Sequence, residues 1–178
     1  MVVVDDPDRV WEFDIKYVRI HGESKNAYLL SMIDCYTREV VGHYLGYHCT
    51  GSDVKEKVVL AFDRRGLENI SAIRMRSDNG TQFICKTVED FLSMMNISHE
   101  RIHPATPKED AHIESFNSIL EILEREVIRR FEFDSIEEAE STVRRFVDFY
   151  NNERLHTAIG YITPREINKK CIEKLQKD

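Results

Sequence analysis

Cysteine is scarce and scattered. The chain of 178 residues holds four, Cys35, Cys49, Cys85 and Cys171, with no C-x-x-C pair and no Cys/His spacing that completes a zinc set. With 42% hydrophobic residues the chain needs no disulfide staples, so the thiols are expected to be reduced. The 4 prolines and 7 glycines are too few for a collagen-like or low-complexity chain. No stretch approaches the roughly 18 apolar residues of a membrane span. Met1 to Asp8 carries acids where a signal peptide carries bases. A cytoplasmic protein without a membrane partner is expected. A basic balance is missing too: 25 Lys and Arg against 32 Asp and Glu leave a net charge of −7, a superficial argument against a nucleic-acid binder.

That acidity is local. Residues 109–153 contain 13 acids and 5 bases, so the remainder is close to neutral. The end of the chain, from Arg154 onward, carries more bases than acids. A negative total therefore does not exclude DNA.

What is present is periodicity. Trp11 to Val18 alternates, with Trp11, Phe13, Ile15 and Tyr17 on one face and Glu12, Asp14 and Lys16 on the other, which predicts a strand. Ala27 to Ile33 and Val40 to Tyr47 predict two more, joined by short polar links as an antiparallel meander. The period then becomes helical over Ser52 to Arg65, with Ser52 as the expected N-cap. Ala72 to Arg76 predicts a fourth strand, Thr87 to Met95 a short helix and Ile97 to Ile102 a fifth strand. A long helix is expected from about Lys108 to Phe131. A last one opens on the capping box Ser135-Ile136-Glu137-Glu138. The order βββαβαβαα predicts one α/β domain, a mixed five-stranded sheet of antiparallel meander plus parallel strands, flanked by helices. Its expected limits are an N-terminal tail over 1–10, a core over 11–167 and a basic C-terminal tail over 168–178.

Three acids stand out. Asp14 lies mid-strand, where aspartate is disfavoured. Asp78 directly follows a strand and opens Asp78-Asn79-Gly80. Glu114 borders the apolar seam of the long helix. Each also has an ordinary reading: a solvated strand face, a common turn and a surface glutamate. Together, a strand centre, a strand end and a helix start can converge on one face of a mixed sheet. Three carboxylates there would repel one another unless a divalent cation lay between them. All-oxygen ligands suit Mg²⁺ or Mn²⁺.

The motifs carrying these acids resemble a known family. Trp11-x-x-Asp14, Ser31-Met32-Ile33-Asp34 through Arg38 and Val41-Gly42, Ser77-Asp78-Asn79-Gly80-Thr81-Gln82-Phe83 and Glu114-Ser115-Phe116-Asn117 are similar to those of the DDE transposase and retroviral integrase superfamily. So is the closing run from Tyr150 through Arg154, Leu155 and His156 to Tyr161, with Thr163-Pro164. Transposases of bacterial insertion sequences are the most similar branch. The 35 residues between Asp78 and Glu114 match the spacing that superfamily favours.

The resemblance implies a ribonuclease H-like fold, with Asp14, Asp78 and Glu114 as catalytic, metal-binding residues for two Mg²⁺ or Mn²⁺ ions. It implies cleavage at a transposon end, then strand transfer into target DNA, by a homodimer or larger assembly that meets the nucleoid when acting. Gln82, Asn117, Arg154 and His156 are its candidate DNA contacts. A nuclease that cuts without joining, and a catalytically dead binding module, are the alternatives. Two departures matter: Glu121 stands where many relatives carry Lys or Arg, and Asp110 where Asn is common. The helix-turn-helix region that family members carry ahead of the core is not seen, so the sequence is expected to be a fragment or a decayed gene product.

Overall fold

The computed structural model describes residues 4–67, 70–102 and 121–175. Five strands, β1 (Val10–Ile20), β2 (Lys25–Asp34), β3 (Val40–Gly46), β4 (Arg74–Ser77) and β5 (Ser98–Arg101), form one sheet in the order β3-β2-β1-β4-β5. β1 to β3 pair antiparallel, whereas β4 joins β1, and β5 joins β4, in parallel. The predicted meander and parallel strands are both present, and β1, at the centre, is where one pattern changes into the other.

Helices cover both faces. On one, α1 (Gly51–Arg65) and α2 (Lys86–Met94) bury Val54, Val58, Phe62, Val88 and Phe91 against Trp11, Phe13, Leu30 and Met32. On the other, Leu123 and Val127 and the stripe Ala139, Val143, Val147 and Tyr150 of α3 (Ile136–Asn152) cover Val18, Ile20, Leu29 and Ile33. This second layer corrects one expectation. Glu12, predicted on a polar outward face, is buried, because that face lies beneath helices rather than in water.

Local signals set most boundaries. α1 starts earlier than predicted: Thr50, not Ser52, is the N-cap, and it exchanges capping hydrogen bonds with Asp53. Ser135 caps α3 as expected, its Oγ accepting from the Glu138 N–H at 3.2 Å. The predicted long helix falls largely on residues 103–120, outside the described residues. Its end does not run regularly to Phe131; it widens into a π turn over Glu124–Ile128, closed by the Arg129 N–H donating to the Glu124 carbonyl at 2.8 Å. A further helix, α4 (Pro164–Leu175), lies beyond the predicted elements and runs across the expected boundary at residue 168.

A buried ionic cluster ties α1, β2 and α4 together. The Arg65 guanidinium meets Asp8 at 2.8 Å, Asp34 at 2.9 Å and also Glu39, while Glu39 receives Arg165 at 3.2 Å and Asn168 at 3.1 Å. Burial first, and the Asp8 carboxylate second, push Asp34 up to about 6 despite the opposing pull of Arg65. Because its folded value exceeds the ordinary 3.8, the folded state holds the Asp34 proton more tightly than the unfolded state does. Ionisation of Asp34 thus costs stability as pH rises through this window, and the cost is complete above about pH 6. Asp34→Asn is accordingly expected to lack this pH dependence, so that its stability relative to the wild type shifts in its favour by up to about 3 kcal/mol from pH 4 to pH 8. Urea unfolding of both proteins across that range measures the difference; a difference independent of pH would contradict the assignment.

Candidate catalytic carboxylate site

β1 and β4 bring two of the three predicted acids together. Asp14 sits mid-strand opposite Ser31 of β2. On its other side the parallel ladder pairs Phe13 with Ser77, so Asp14 and Asp78 stand at successive positions just beyond the last pair. A carboxylate at the end of a parallel strand beside a topological switch occupies the customary place for an α/β site. Asp14 is partly covered and Asp78 exposed.

Both acids are held by their surroundings. Asp78 Oδ1 accepts the Gly80 N–H at 2.8 Å, an Asx turn that fixes the carboxylate against its own loop. A Cβ on Gly80 would lie 2.9 Å from Asp78 Oδ1 and 3.4 Å from Gln82 Oε1, so a side chain there would push the Asp78 carboxylate out of this position. From beneath, the Ser77 hydroxyl donates to the Asp78 carbonyl at 2.8 Å and lies 2.9 Å from Nε2 of His99 on β5. That geometry needs an Nε2–H donor, and burial, followed by Arg101, holds the His99 pKa below its ordinary value.

Charge at the site is mixed. The Lys16 ammonium lies 3.0 Å from Asp14 Oδ2 and 3.9 Å from Glu124 Oε2 in the π turn. Burial alone would lower the Lys16 pKa, but Asp14, then Glu124 and Asp78, outweigh it and raise the value. Glu12, two residues before Asp14, is pushed up to about 7 by burial, with Arg76 pulling down and Asp14 pushing up. Sequence reading missed Glu12 as part of this electrostatic neighbourhood. Its signal, a glutamate two residues from Asp14 in an otherwise apolar strand start, becomes informative only once both sheet faces are known to be covered.

The other predicted residues divide. Gln82 lies over the Asp78–Gly80 turn, with Thr81 Oγ1 donating to its Oε1 at 3.4 Å. Arg154 is engaged within the domain by Glu126 at 2.6 Å. His156 stacks edge-on against Tyr150 at 4.8 Å, and its Nε2, like the Tyr150 hydroxyl, is buried without a hydrogen-bond partner among the described residues. The described contacts of Arg154 and His156 thus brace the fold. Asn151 of the same closing motif does so too: its amide accepts from the Val40 N–H at 2.9 Å and donates to the Val40 carbonyl at 3.0 Å, docking α3 on the edge strand β3. Glu114 and Asn117 lie outside the described residues.

A family model described as integrase core domain matches residues 5–107, and a second of that description matches 95–164. The chain belongs to the integrase core family. The integrase core is 23% identical over 92% of its length to the transposase of insertion sequence element IS904 from Lactococcus lactis. It is 25% identical, again over 92%, to a protein of insertion element IS600 from Shigella sonnei. It spans 62% and 58% of those relatives' own lengths. Among solved structures, the magnesium complex of the HTLV-2 integrase catalytic core domain superposes with a TM-score of 0.64 over 91% of this chain and 97% of that one, at 15% identity. The BIV integrase catalytic core does so with 0.63 over 96% and 99%, at 18% identity. These likenesses establish the ribonuclease H-like fold of the integrase core.

The donor chemistry suits a hard divalent cation. Asp14 and Asp78 offer only carboxylate oxygens at neighbouring positions, with Asp78 exposed and Asp14 partly covered, and such hard donors suit a Mg²⁺ that keeps part of its hydration shell. Among the described residues, no group of three or more His, Cys, Asp or Glu side chains is arranged to hold a metal. None of the described helices is long and apolar enough to cross a membrane.

Proposed function

We propose that this integrase core is the catalytic domain of an insertion-sequence transposase, cleaving a DNA strand at an element end and transferring it to target DNA. The observation that carries the reading is the β1–β4 register, which sets Asp14 beside Asp78 on a fold shared with integrase cores. Glu114 is the proposed third carboxylate, on its family spacing. The three would hold two Mg²⁺ or Mn²⁺ ions. Such a pair, when bound, polarises the phosphodiester and stabilises charge on the attacking and leaving oxygens.

The chain's own residues supply placement. Asp14 is set by strand pairing on both sides, and Asp78 by the Gly80 N–H and the Ser77–His99 brace, so neither must reorganise when a phosphodiester arrives. Cleavage and joining are both in-line displacements at phosphorus, one with water and one with a 3′-hydroxyl as nucleophile, so one carboxylate site serves both. Gln82 and Asn117 are the proposed DNA-positioning side chains near it. Arg154 and His156 act through the fold, with DNA contact as a secondary role. A dimer or larger assembly is proposed, because joining two element ends requires two sites.

Strand transfer separates this reading from a plain nuclease. A labelled duplex carrying the element's terminal repeat, already nicked to expose the 3′-hydroxyl, is incubated with the protein, Mn²⁺ and a plasmid. Label covalently joined to plasmid is the expected result. Nicked plasmid with no joined label would establish the nuclease, and no metal-dependent cutting at all would favour a binding module.

A further inference from the structure

We propose that Lys16 is a DNA-phosphate contact of this site, a cation on the sheet facing the acids of the π turn. The inference rests on the transposase reading and adds a residue to it.

Lys16 follows Asp14 by two positions on β1, so both side chains project from the same face. Its ammonium touches Asp14 at 3.0 Å and reaches Glu124 at 3.9 Å. It is not a sealed structural pair. The Arg65 side chain, set among three carboxylates in the buried cluster, is 8% exposed, whereas that of Lys16 is 37% exposed. A lysine ammonium on a flexible stem, with three rotatable donors, can leave one oxygen for another nearby.

The need for such a cation comes from the segment across from it. Glu121 is exposed, and Glu124 and Glu126 follow it. Arg129 is committed to Glu124 at 2.6 Å, Arg154 to Glu126 at 2.6 Å, and Arg125 lies 3.7 Å from Glu126. A phosphodiester approaching Asp14 and Asp78 therefore meets acids along this segment, and Lys16 supplies positive charge from the sheet side. A divalent ion on Asp14 competes with the ammonium for the same oxygen. Lys16 thus bears on both ligands with opposite sign: it holds the metal-free carboxylate and, once released, holds phosphate.

The test uses the full chain in Ca²⁺ with a fluorescent duplex, titrated by anisotropy between about 50 and 200 mM salt. Lys16→Met is expected to weaken binding about three- to tenfold regardless of sequence and to reduce the salt slope by about one phosphate's worth. Lys16→Arg is expected to keep the slope. Lys25→Met, at an exposed position at the start of β2, is expected to change neither quantity. In the absence of DNA, Lys16→Met should bind Mn²⁺ at least as tightly as the wild type. An unchanged slope in Lys16→Met, or weaker Mn²⁺ binding showing that Asp14 has moved, overturns the proposal while leaving the transposase reading standing. Absence of DNA binding by the wild-type chain also overturns the proposal, whereas the strand-transfer assay decides the transposase reading.

Discussion

Asp14→Asn and Asp78→Asn are each expected to lower Mn²⁺-dependent nicking and joining of element-end DNA by roughly a thousandfold or more, with the fold intact. The substitutions keep shape and remove charge. The Asp14→Asn side chain would still sit in the ladder opposite Ser31, and in Asp78→Asn an amide oxygen can still accept the Gly80 N–H and close the turn. What disappears is a pair of anionic oxygens that together hold a hard cation. Glu114→Gln is expected to behave the same way on its family spacing. The measurement is the rate of strand cleavage, with circular dichroism and urea unfolding alongside to show that folding is retained. Full activity in any one variant would remove that residue from the site. Loss of activity accompanied by unfolding at Asp78 would instead point to the turn.

The second large effect concerns stability. Arg65→Met is expected to destabilise the domain by about 3–5 kcal/mol, because it leaves carboxylates buried without their cation. Asp34 is fully buried and Glu39 nearly so, and Arg65 is shared between them and Asp8. Glu39 would retain Arg165 and Asn168 from α4, so it is less exposed to the loss than Asp34. The double variant Arg65→Met/Asp34→Asn is therefore expected to recover part of the deficit, a coupling read directly from a double-mutant cycle in urea. A single-variant cost below about 1 kcal/mol would mean that the cluster is solvated in solution and behaves as an ordinary surface pair.

Asp34 illustrates what a motif conceals. It lies in the stretch from Ser31 to Arg38 that resembles the transposase family, yet its described contacts are Arg65, the Asp8 N–H and the Tyr36 N–H. It anchors the β2 end and acts three positions down the ladder from Asp14. Asn151 and His156 repeat the point: residues of the closing signature, His156 among them a candidate DNA contact, hold α3 against β3 and pack edge-on against Tyr150. Shared residues in one family reflect a shared fold as well as shared chemistry, and local spacing does not separate the two.

The sequence by itself determined the strands, most of the helices and the two aspartates. Those depend on signals within about ten residues: alternation in Trp11 to Val18, the Asp-Asn-Gly turn, the helical periods and the Ser135 cap. It also located the acidity and thereby removed the net charge as an argument against DNA. The tertiary structure decided everything that depends on what lies across the sheet. Burial of Glu12 follows from a second helical layer, the adjacency of Asp14 and Asp78 from the Phe13–Ser77 register, and the Arg65 cluster from side chains 57 and 31 residues apart in sequence. Lys16 belongs to that group. As one of two bases in β1 it carries no signal, and its meaning comes from Asp14 on its own face and from Glu124, more than a hundred residues away in sequence, meeting it there. Electrostatic interactions act through space, over a few ångströms, so they become legible only when the fold has brought their partners together.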